Sequence, residues 1–335
     1  MIGLGKMGKL HLMNALRIDG VNVVAGADRN EGNRLFAQNH RVKTYGDYAS
    51  LLDKEKIDAA IISLPTHLKK EAVVLASESG LDVFLDKPLA GNATDAEEIV
   101  QKIRKEKTRL TVGVNYRFFD SVQKIRNSME SGKLGDVVLA TSELIMNGPF
   151  SHPLVPTPVA DWWLSKEMAG GGALLDLGYH VVDLFNWMFG DLQVAYSNLG
   201  WRFNLPVEDS AIIVLESKKT SVKCVASVGW FMKMIFPAFN FRINLNGTAG
   251  SESTDRYAPS DLRVHAAKEA VSNLLRRIAM RKVHYLSYTY YYASFHSILE
   301  SFFDMIKKDV DNPISIEQQL QVMRIIDECY KQGGG

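Results

Sequence analysis

A chain of 335 residues, 46% of them hydrophobic, is long enough for two domains of ordinary size with sizeable cores. Its 39 lysines and arginines against 38 acids exclude a global field that would recruit nucleic acid, and Cys224 and Cys329 alone exclude a disulfide framework. The most apolar run, near 230–241, is interrupted by Lys233 and Pro237, and no basic-then-apolar leader opens the chain; a soluble cytoplasmic protein without an integral membrane segment is therefore expected.

Gly3-Leu4-Gly5-Lys6-Met7-Gly8 fits the GxGxxG pattern, and the apolar spacing of Leu10, Leu12, Met13 and Leu16 starts a helix inside it. In such a turn Gly3 permits the tight bend, Gly5 lets the backbone approach a pyrophosphate beside Lys6 and Met7, and Gly8 allows close helix packing. A strand over 22–27 then ends at Asp28, about 20 residues on, where an acid binds the ribose diol of an adenosine. Asp28 favours NAD; Arg29, next to it, keeps NADP open as a partner for a 2'-phosphate. Only Met1 and Ile2 precede Gly3, whereas the first strand of such a sheet is about 5–6 residues long. We expect several more apolar residues before Met1 in the natural chain, the alternative being a fold that opens with a stub.

Further strands are predicted at 58–63, 82–85 and 108–114, with a helix at 69–79 between the first two. Strands alternating with helices give a parallel, doubly wound sheet, whose ligands sit beyond the carboxyl ends of its strands. Pro65, Lys87, Asn115, Tyr116 and Arg117 all follow such ends: Pro65, Lys87 and Asn115 are candidates for the cofactor site, Tyr116 and Arg117 for the substrate. Pro88 keeps Lys87 out of helical geometry and is a candidate for a cis bond, which would aim Lys87 into the cleft. A solvated lysine at a strand end fits the same residues.

The second half opens with an amphipathic helix at 120–134 and a strand at 137–145, giving domains of 1–118 and 119–335. A loop at 147–158, rich in Pro, Gly and Ser, leads to Trp162 and Trp163. It suits a substrate lid or, somewhat better, a hydrophobic plug. The stretch GGGALLDLGYHVVD, 170–183, then begins a helix that is apolar on most of its circumference. Asp176, His180 and Asp183, at i, i+4 and i+7, share one stripe of it, and Gly178 suggests a close approach to its backbone. A structural Asp–His pair and a reactive site fit this stripe equally. Strands follow at 211–215, 221–230 and 239–245, and a last helix at 316–331. Between them, Arg276, Arg277, Arg281 and Lys282 precede five tyrosines from Tyr285 to Tyr292. That cluster suits a nucleotide-sugar diphosphate or an anionic membrane surface, but a solvated helix face or subunit contact better.

Together, GxGxxGxxH at Gly3 to His11, Asp-Lys-Pro at 86–88 and GGGxxxDxGxHxxD at Gly170 to Asp183 resemble the Gfo/Idh/MocA family of NAD(P)-dependent oxidoreductases, which includes glucose-fructose oxidoreductase and inositol dehydrogenase. The likeness runs across nearly the whole chain, through GKLGDVV at 132–138, PVEDSA at 206–211 and NGTAGS at 246–251. It implies an α/β protein with an N-terminal Rossmann domain, its first strand truncated here, and a C-terminal α/β domain whose large, mostly antiparallel sheet builds homodimers or homotetramers. It also implies that Lys87, Asp176 and His180 are catalytic. Two positions depart from the family pattern. Asp86 stands where glutamate is usual, and Lys69 where many relatives have histidine, so His67, like His11, is expected to be structural.

The function so implied is hydride transfer between a nicotinamide and a carbinol carbon of a sugar, a sugar derivative such as a nucleotide sugar, or a cyclic polyol. His180 would serve as general base, Asp176 would orient it and hold a substrate hydroxyl, and Lys87 would stabilise charge on the reacting oxygen. Two readings from other classes stand beside it. One is a metal-dependent hydrolase using Asp176, His180 and Asp183, which would leave the dinucleotide fingerprint unexplained. The other is a cofactor-binding protein of the same fold without turnover.

Overall fold

The computed structural model describes residues 1–149, 160–231, 240–259, 262–280 and 290–334. Its first part alternates helices and short strands: α1 (Lys6–Ala15), β1 (Ala25–Ala27), α2 (Glu31–Asn39), β2 (Lys43–Tyr45), α3 (Tyr48–Lys54), β3 (Ala59–Ile62), α4 (Thr66–Glu78), β4 (Asp82–Leu85), α5 (Ala93–Glu106) and β5 (Leu110–Val112). All their pairings are parallel, β2 with β1 and β3 with β4 with β5. Ile2 joins the two groups by bridging Ala27 on one side and Ile62 on the other. Its N–H donates to the Ile61 carbonyl at 2.7 Å, and its own carbonyl accepts from Ser63 at 2.8 Å. Ile2 thus lies at the centre of a doubly wound sheet. The strand expected over 22–27 is shorter, because β2 offers a ladder only to Ala25–Ala27.

Caps close the helices where the sequence supplies them. Asn30 accepts from the Asn33 N–H ahead of α2, and Asn92 from Asp95 ahead of α5. The next segments are a 3₁₀ turn (Asn115–Phe118), α6 (Asp120–Glu130), β6 (Val137–Ile145), a second 3₁₀ turn (Asp161–Leu164), α7 (Lys166–Ala169), a π-helical turn (Leu174–Gly178) and α8 (Tyr179–Phe189). Then come β7 (Leu192–Gly200), β8 (Ser210–Ser217), β9 (Lys223–Gly229), β10 (Asn240–Gly247), β11 (Ser251–Ser253), α9 (Leu262–Ile278), α10 (Tyr290–Lys308) and α11 (Ile316–Gly333).

Strands β6 to β11 form one six-stranded sheet in the order β11-β10-β6-β9-β8-β7, antiparallel except for the β6–β9 pair. Alternation sets its inner face: Ala211, Ile213 and Leu215 of β8 are buried, while Ile212 between them is 50% exposed. The apolar run of α8 packs beneath this face, and Val181, Val182, Leu184 and Phe185 are fully buried. α10 and α11 return to the first sheet. Phe302 of α10 meets Phe84 of β4 edge-on at 5.6 Å, and Arg324 of α11 pairs with Glu97 of α5. The last helices therefore cover the first sheet as well as following the second.

Candidate active site

At the start of α1 the glycines do what the fingerprint requires. Gly3 has φ +87°, and a Cβ there would lie 2.3 Å from the Ser63 carbonyl oxygen. A Cβ on Gly8 would lie 2.1 Å from the carbonyl oxygen of Gly3, whereas Gly5 faces open space. No side chain caps α1, so the N-terminus of a ten-residue helix faces that space with donors to offer an anion. Asp28 is already oriented beside it: Leu4 N–H donates to Oδ2 at 2.8 Å, Asn30 N–H to Oδ1 at 2.8 Å and the Asn33 side chain to Oδ2 at 3.2 Å. Arg34, which sequence reasoning missed, fixes the main chain of the same turn by donating to the carbonyls of Asp28 and Arg29, both at 2.8 Å. Arg29 itself is exposed at the rim. These residues fit a dinucleotide: a turn that excludes side chains, open space over a helix N-terminus, and an acid held for a diol.

From there a cleft of about 690 Å³ runs past Gly3, Gly5, Lys6, Met7, Asp28 and Arg29 to Pro65 and Lys87, and ends at Trp162, Trp163, Leu175 and Asp176. Lys87 follows β4, and its peptide bond to Pro88 is cis. Its ammonium donates to the Asp176 carboxylate Oδ1 at 2.7 Å and to the Asp176 carbonyl at 2.8 Å. The other carboxylate oxygen accepts from the Trp230 indole N–H at 3.1 Å. Trp230, at the end of β9, carried no sequence signal. Asp176 is thus engaged by Lys87 and Trp230, and orients the lysine rather than His180.

The helix carrying Asp176 is not the uniform α-helix its spacing predicts. A π turn over Leu174–Gly178 precedes α8 and shifts the phase of Asp176 relative to His180 and Asp183, which both lie in α8. Its opening is tied down by Glu208, whose buried carboxylate accepts from Gly172 and Leu174 N–H, each at 2.9 Å, and from the Tyr330 hydroxyl at 2.7 Å. Burial pushes the Glu208 carboxyl up, and these donors partly offset the shift. Around Gly178, among the described residues, no other element comes close enough to exclude a Cβ, contrary to expectation. A Cβ there would be 3.8 Å from Val228 but 2.8 Å from Leu174, so the glycine makes room within its own turn.

His180 is 3% exposed and stacks on the Tyr116 ring, with centroids 4.0 Å apart and planes at 25°. Its Nδ1 has no hydrogen-bond partner among the described residues. Burial, and secondarily the Lys87 charge, hold its pKa well below the usual histidine value, so at neutral pH it is an uncharged imidazole.

Asp183 faces elsewhere. Arg117 grips it with two bonds, Nε to Oδ2 at 2.8 Å and Nη2 to Oδ1 at 2.6 Å, and Gln319 donates to Oδ1 at 2.6 Å. Both partners are buried, so Arg117 is a core residue here and not the substrate contact its position suggested. Asn115 is likewise turned inward and donates to the Ser294 hydroxyl at 2.8 Å. Among the described residues, Tyr116 meets the site through its stack on His180. The proposed metal triad is not assembled: Asp176 and Asp183 are each neutralised by a different cation, and no group of three metal-ligating side chains occurs among the described residues. His11 lies buried edge-on to Phe84, and His67 is exposed on α4, so neither enters the cleft. Of the basic and aromatic cluster, Arg276 and Arg277 lie at the end of α9. Arg281, Lys282, Tyr285 and Tyr288 lie outside the described residues, as does most of the 147–158 loop.

Comparison with known proteins agrees with the fold described above. Residues 1–114 match the model described as "Oxidoreductase family, NAD-binding Rossmann fold", and residues 122–252 match the GFO/IDH/MocA C-terminal domain. An uncharacterized oxidoreductase of Bacillus subtilis, YrbE, is 24% identical over 97% of this chain and 90% of its own length. Trans-1,2-dihydrobenzene-1,2-diol dehydrogenase of Macaca fuscata fuscata is 31% identical over 54% of this chain, an alignment that spans 52% of that enzyme. Among solved structures, a putative myo-inositol dehydrogenase from Sinorhizobium meliloti superposes with a TM-score of 0.80, at 18% identity, over 99% of this chain and 96% of that one. That likeness establishes a shared fold. No described helix is long and apolar enough to cross a membrane.

Proposed function

Since the chain belongs to the Gfo/Idh/MocA family of oxidoreductases, with its NAD-binding Rossmann domain, we propose that it oxidises or forms a secondary alcohol of a sugar, sugar derivative or cyclic polyol. The observation that carries this reading is the Lys87–Asp176 contact, which places an ammonium group at the inner end of the cleft that begins at Gly3 and Asp28. The diol and inositol dehydrogenases among its relatives support the substrate class. When bound, NAD supplies the hydride acceptor.

Lys87 donates a hydrogen bond to the reacting oxygen and stabilises the charge that grows on it. Asp176 holds that ammonium in place and offers its carboxylate to a neighbouring hydroxyl. His180, uncharged in the free protein, accepts the proton released by the alcohol. Trp162 and Trp163 line the same end and supply an apolar wall for the carbon face of a ring. Asp28 gives the site its preference for NAD over NADP, because its carboxylate repels a 2'-phosphate.

The working form we propose is a cytoplasmic homodimer or homotetramer joined through the outer face of the six-stranded sheet. Tyr196 of β7 and Ile212 of β8 stand out from that face, 52% and 50% exposed. Incubation with NAD or NADP and a panel of sugars and cyclic polyols, followed by absorbance of the reduced nicotinamide, tests the activity. Turnover of at least one alcohol, abolished in Lys87→Ala, is the expected result; turnover that Lys87→Ala leaves intact refutes the site.

A further inference from the structure

Beneath the turn that carries Lys87 lies a second lysine. α4 turns Ala72, Val73 and Ala76 toward the core, and Lys69 on the same helix is only 2% exposed. An ammonium left unpaired at such depth would be strongly destabilising. Lys69 is not unpaired: it donates to the carbonyl oxygens of Asp86 at 2.7 Å, Lys87 at 2.7 Å and Pro88 at 3.1 Å. An ammonium has three donors, and here each meets one carbonyl of three consecutive residues.

Those carbonyls lie where the sheet stops helping. The β4 ladder ends at Leu85, whose carbonyl accepts from Gly113 N–H at 2.8 Å. Beyond it, Asp86 N–H reaches Ile62 at 2.9 Å, and Leu89 N–H reaches the Tyr179 hydroxyl at 3.3 Å. Between these two ties, Lys69 gathers the main chain while the Lys87 side chain runs from it to Asp176. Charge supports the arrangement, since the Asp86 carboxylate stands beside both lysines. Burial pushes that carboxyl up, but His11, Lys69 and Lys87 together bring it below the usual range.

We propose that Lys69 is a positioning residue for Lys87: by holding the carbonyls of residues 86–88 on one ammonium, it sets the point from which the Lys87 side chain enters the cleft. This inference rests on the role given to Lys87 above. It differs from a purely stabilising role in what it touches, because losing the lysine should disturb one turn and the reaction it serves. The rest of the sheet and the dinucleotide site should keep their order.

Lys69→Met keeps an apolar stem of similar length and removes all three donors; Lys69→Arg keeps the charge but offers a planar fork to carbonyls that converge on a point. Hydrogen exchange followed by mass spectrometry should show the amides of residues 86–90 exchanging about tenfold faster in Lys69→Met, with β3 and β5 unchanged. With whichever alcohol of the panel is turned over, kcat should fall at least about tenfold, since displacement of a reacting group by an ångström is enough for that, while KM and NAD affinity stay within about threefold. Lys69→Arg should lie between Lys69→Met and the wild type, and it carries the test if Lys69→Met does not fold. Exchange that rises evenly across the first sheet, kcat and NAD affinity lost in proportion, or wild-type kcat in the folded variants would each overturn the proposal. Lys87→Ala in the same assays separates the two readings. If it retains turnover, the role of Lys87 falls; if it is inactive while Lys69→Met is normal, only the positioning role falls.

Discussion

Lys87 and Asp176 meet 89 residues apart in sequence through two bonds, one to the carboxylate and one to the main-chain carbonyl of the same aspartate. The second bond fixes the lysine to the backbone of the π turn and not only to a mobile side chain. Asp176→Asn keeps the carbonyl contact and removes the charge, so the ammonium should stay near its place but hold a substrate hydroxyl less well. We expect kcat to fall roughly 10- to 100-fold with NAD affinity nearly unchanged, as steady-state kinetics and a fluorescence titration would show. Loss of NAD binding in that variant would mean that Asp176 shapes the cofactor site instead.

Arg117 and Asp183 make a pair with a different purpose. Both are buried, and removing one partner leaves the other charge uncompensated. Asp183→Ala should lower unfolding free energy by about 3–5 kcal/mol in a denaturant titration. Catalysis by the fraction that remains folded should change little. A variant as stable as the wild type but inactive would revive the metal reading of this aspartate.

The depressed pKa of His180 gives stability a defined pH dependence. The unfolded state binds a proton near the ordinary histidine value of about 6.5, while the folded imidazole resists it, so stability falls as pH drops from there toward the folded pKa. His180→Phe keeps a ring against Tyr116 and cannot titrate. The difference between wild type and variant should therefore change by up to about 1.4 kcal/mol per pH unit below pH 6.5 and stay constant above it. A difference that is flat with pH would mean that the folded imidazole titrates normally.

Much of this site could be read from sequence wherever the residue's own chemistry carries the signal. The glycines of 3–8 are needed because backbone or ligand occupies the space of a Cβ, and Asp28 is an acid at the end of a buried strand. Lys69, Glu208 and Trp230 were not legible as parts of the site, because each acts on atoms far along the chain, mostly main-chain groups or a carboxylate reached only through folding. The spacing of Asp176, His180 and Asp183 misled for a related reason. It presumes 3.6 residues per turn throughout, and the π turn breaks that phase between Asp176 and the two residues of α8. The same limit hid the return of α10 and α11 to the first sheet, since their apolar stripes show that they are covered without showing by what.

Asp28 is held by two N–H groups and an amide before any ligand arrives, so its orientation costs nothing further on binding. Asp28→Ala should weaken NAD by roughly 10- to 100-fold, the worth of hydrogen bonds to a charged group. NADP should bind the wild type less well than NAD, and the variant should narrow that gap. Equal use of both cofactors by the wild type would make exposed Arg29 the dominant reader.

Lys87 and His180 act, in the mechanism proposed, on one oxygen at one moment: the ammonium stabilises its negative charge while the imidazole removes its proton. Each alone should then matter in the transition state, and Lys87→Ala and His180→Ala should each lower kcat by roughly 100-fold or more. Their effects should not multiply. Without the proton acceptor, the charge that Lys87 stabilises develops less completely, so the double variant should be less impaired than the product of the single losses. The pair is also coupled in the free protein, where the Lys87 charge helps to keep His180 unprotonated. NAD affinity should be nearly intact in His180→Ala, because that ring is buried against Tyr116 and away from the glycine turn. Strict multiplication of the two losses would show that the residues serve separate steps, and wild-type kcat in His180→Ala would assign proton removal to another group or to water.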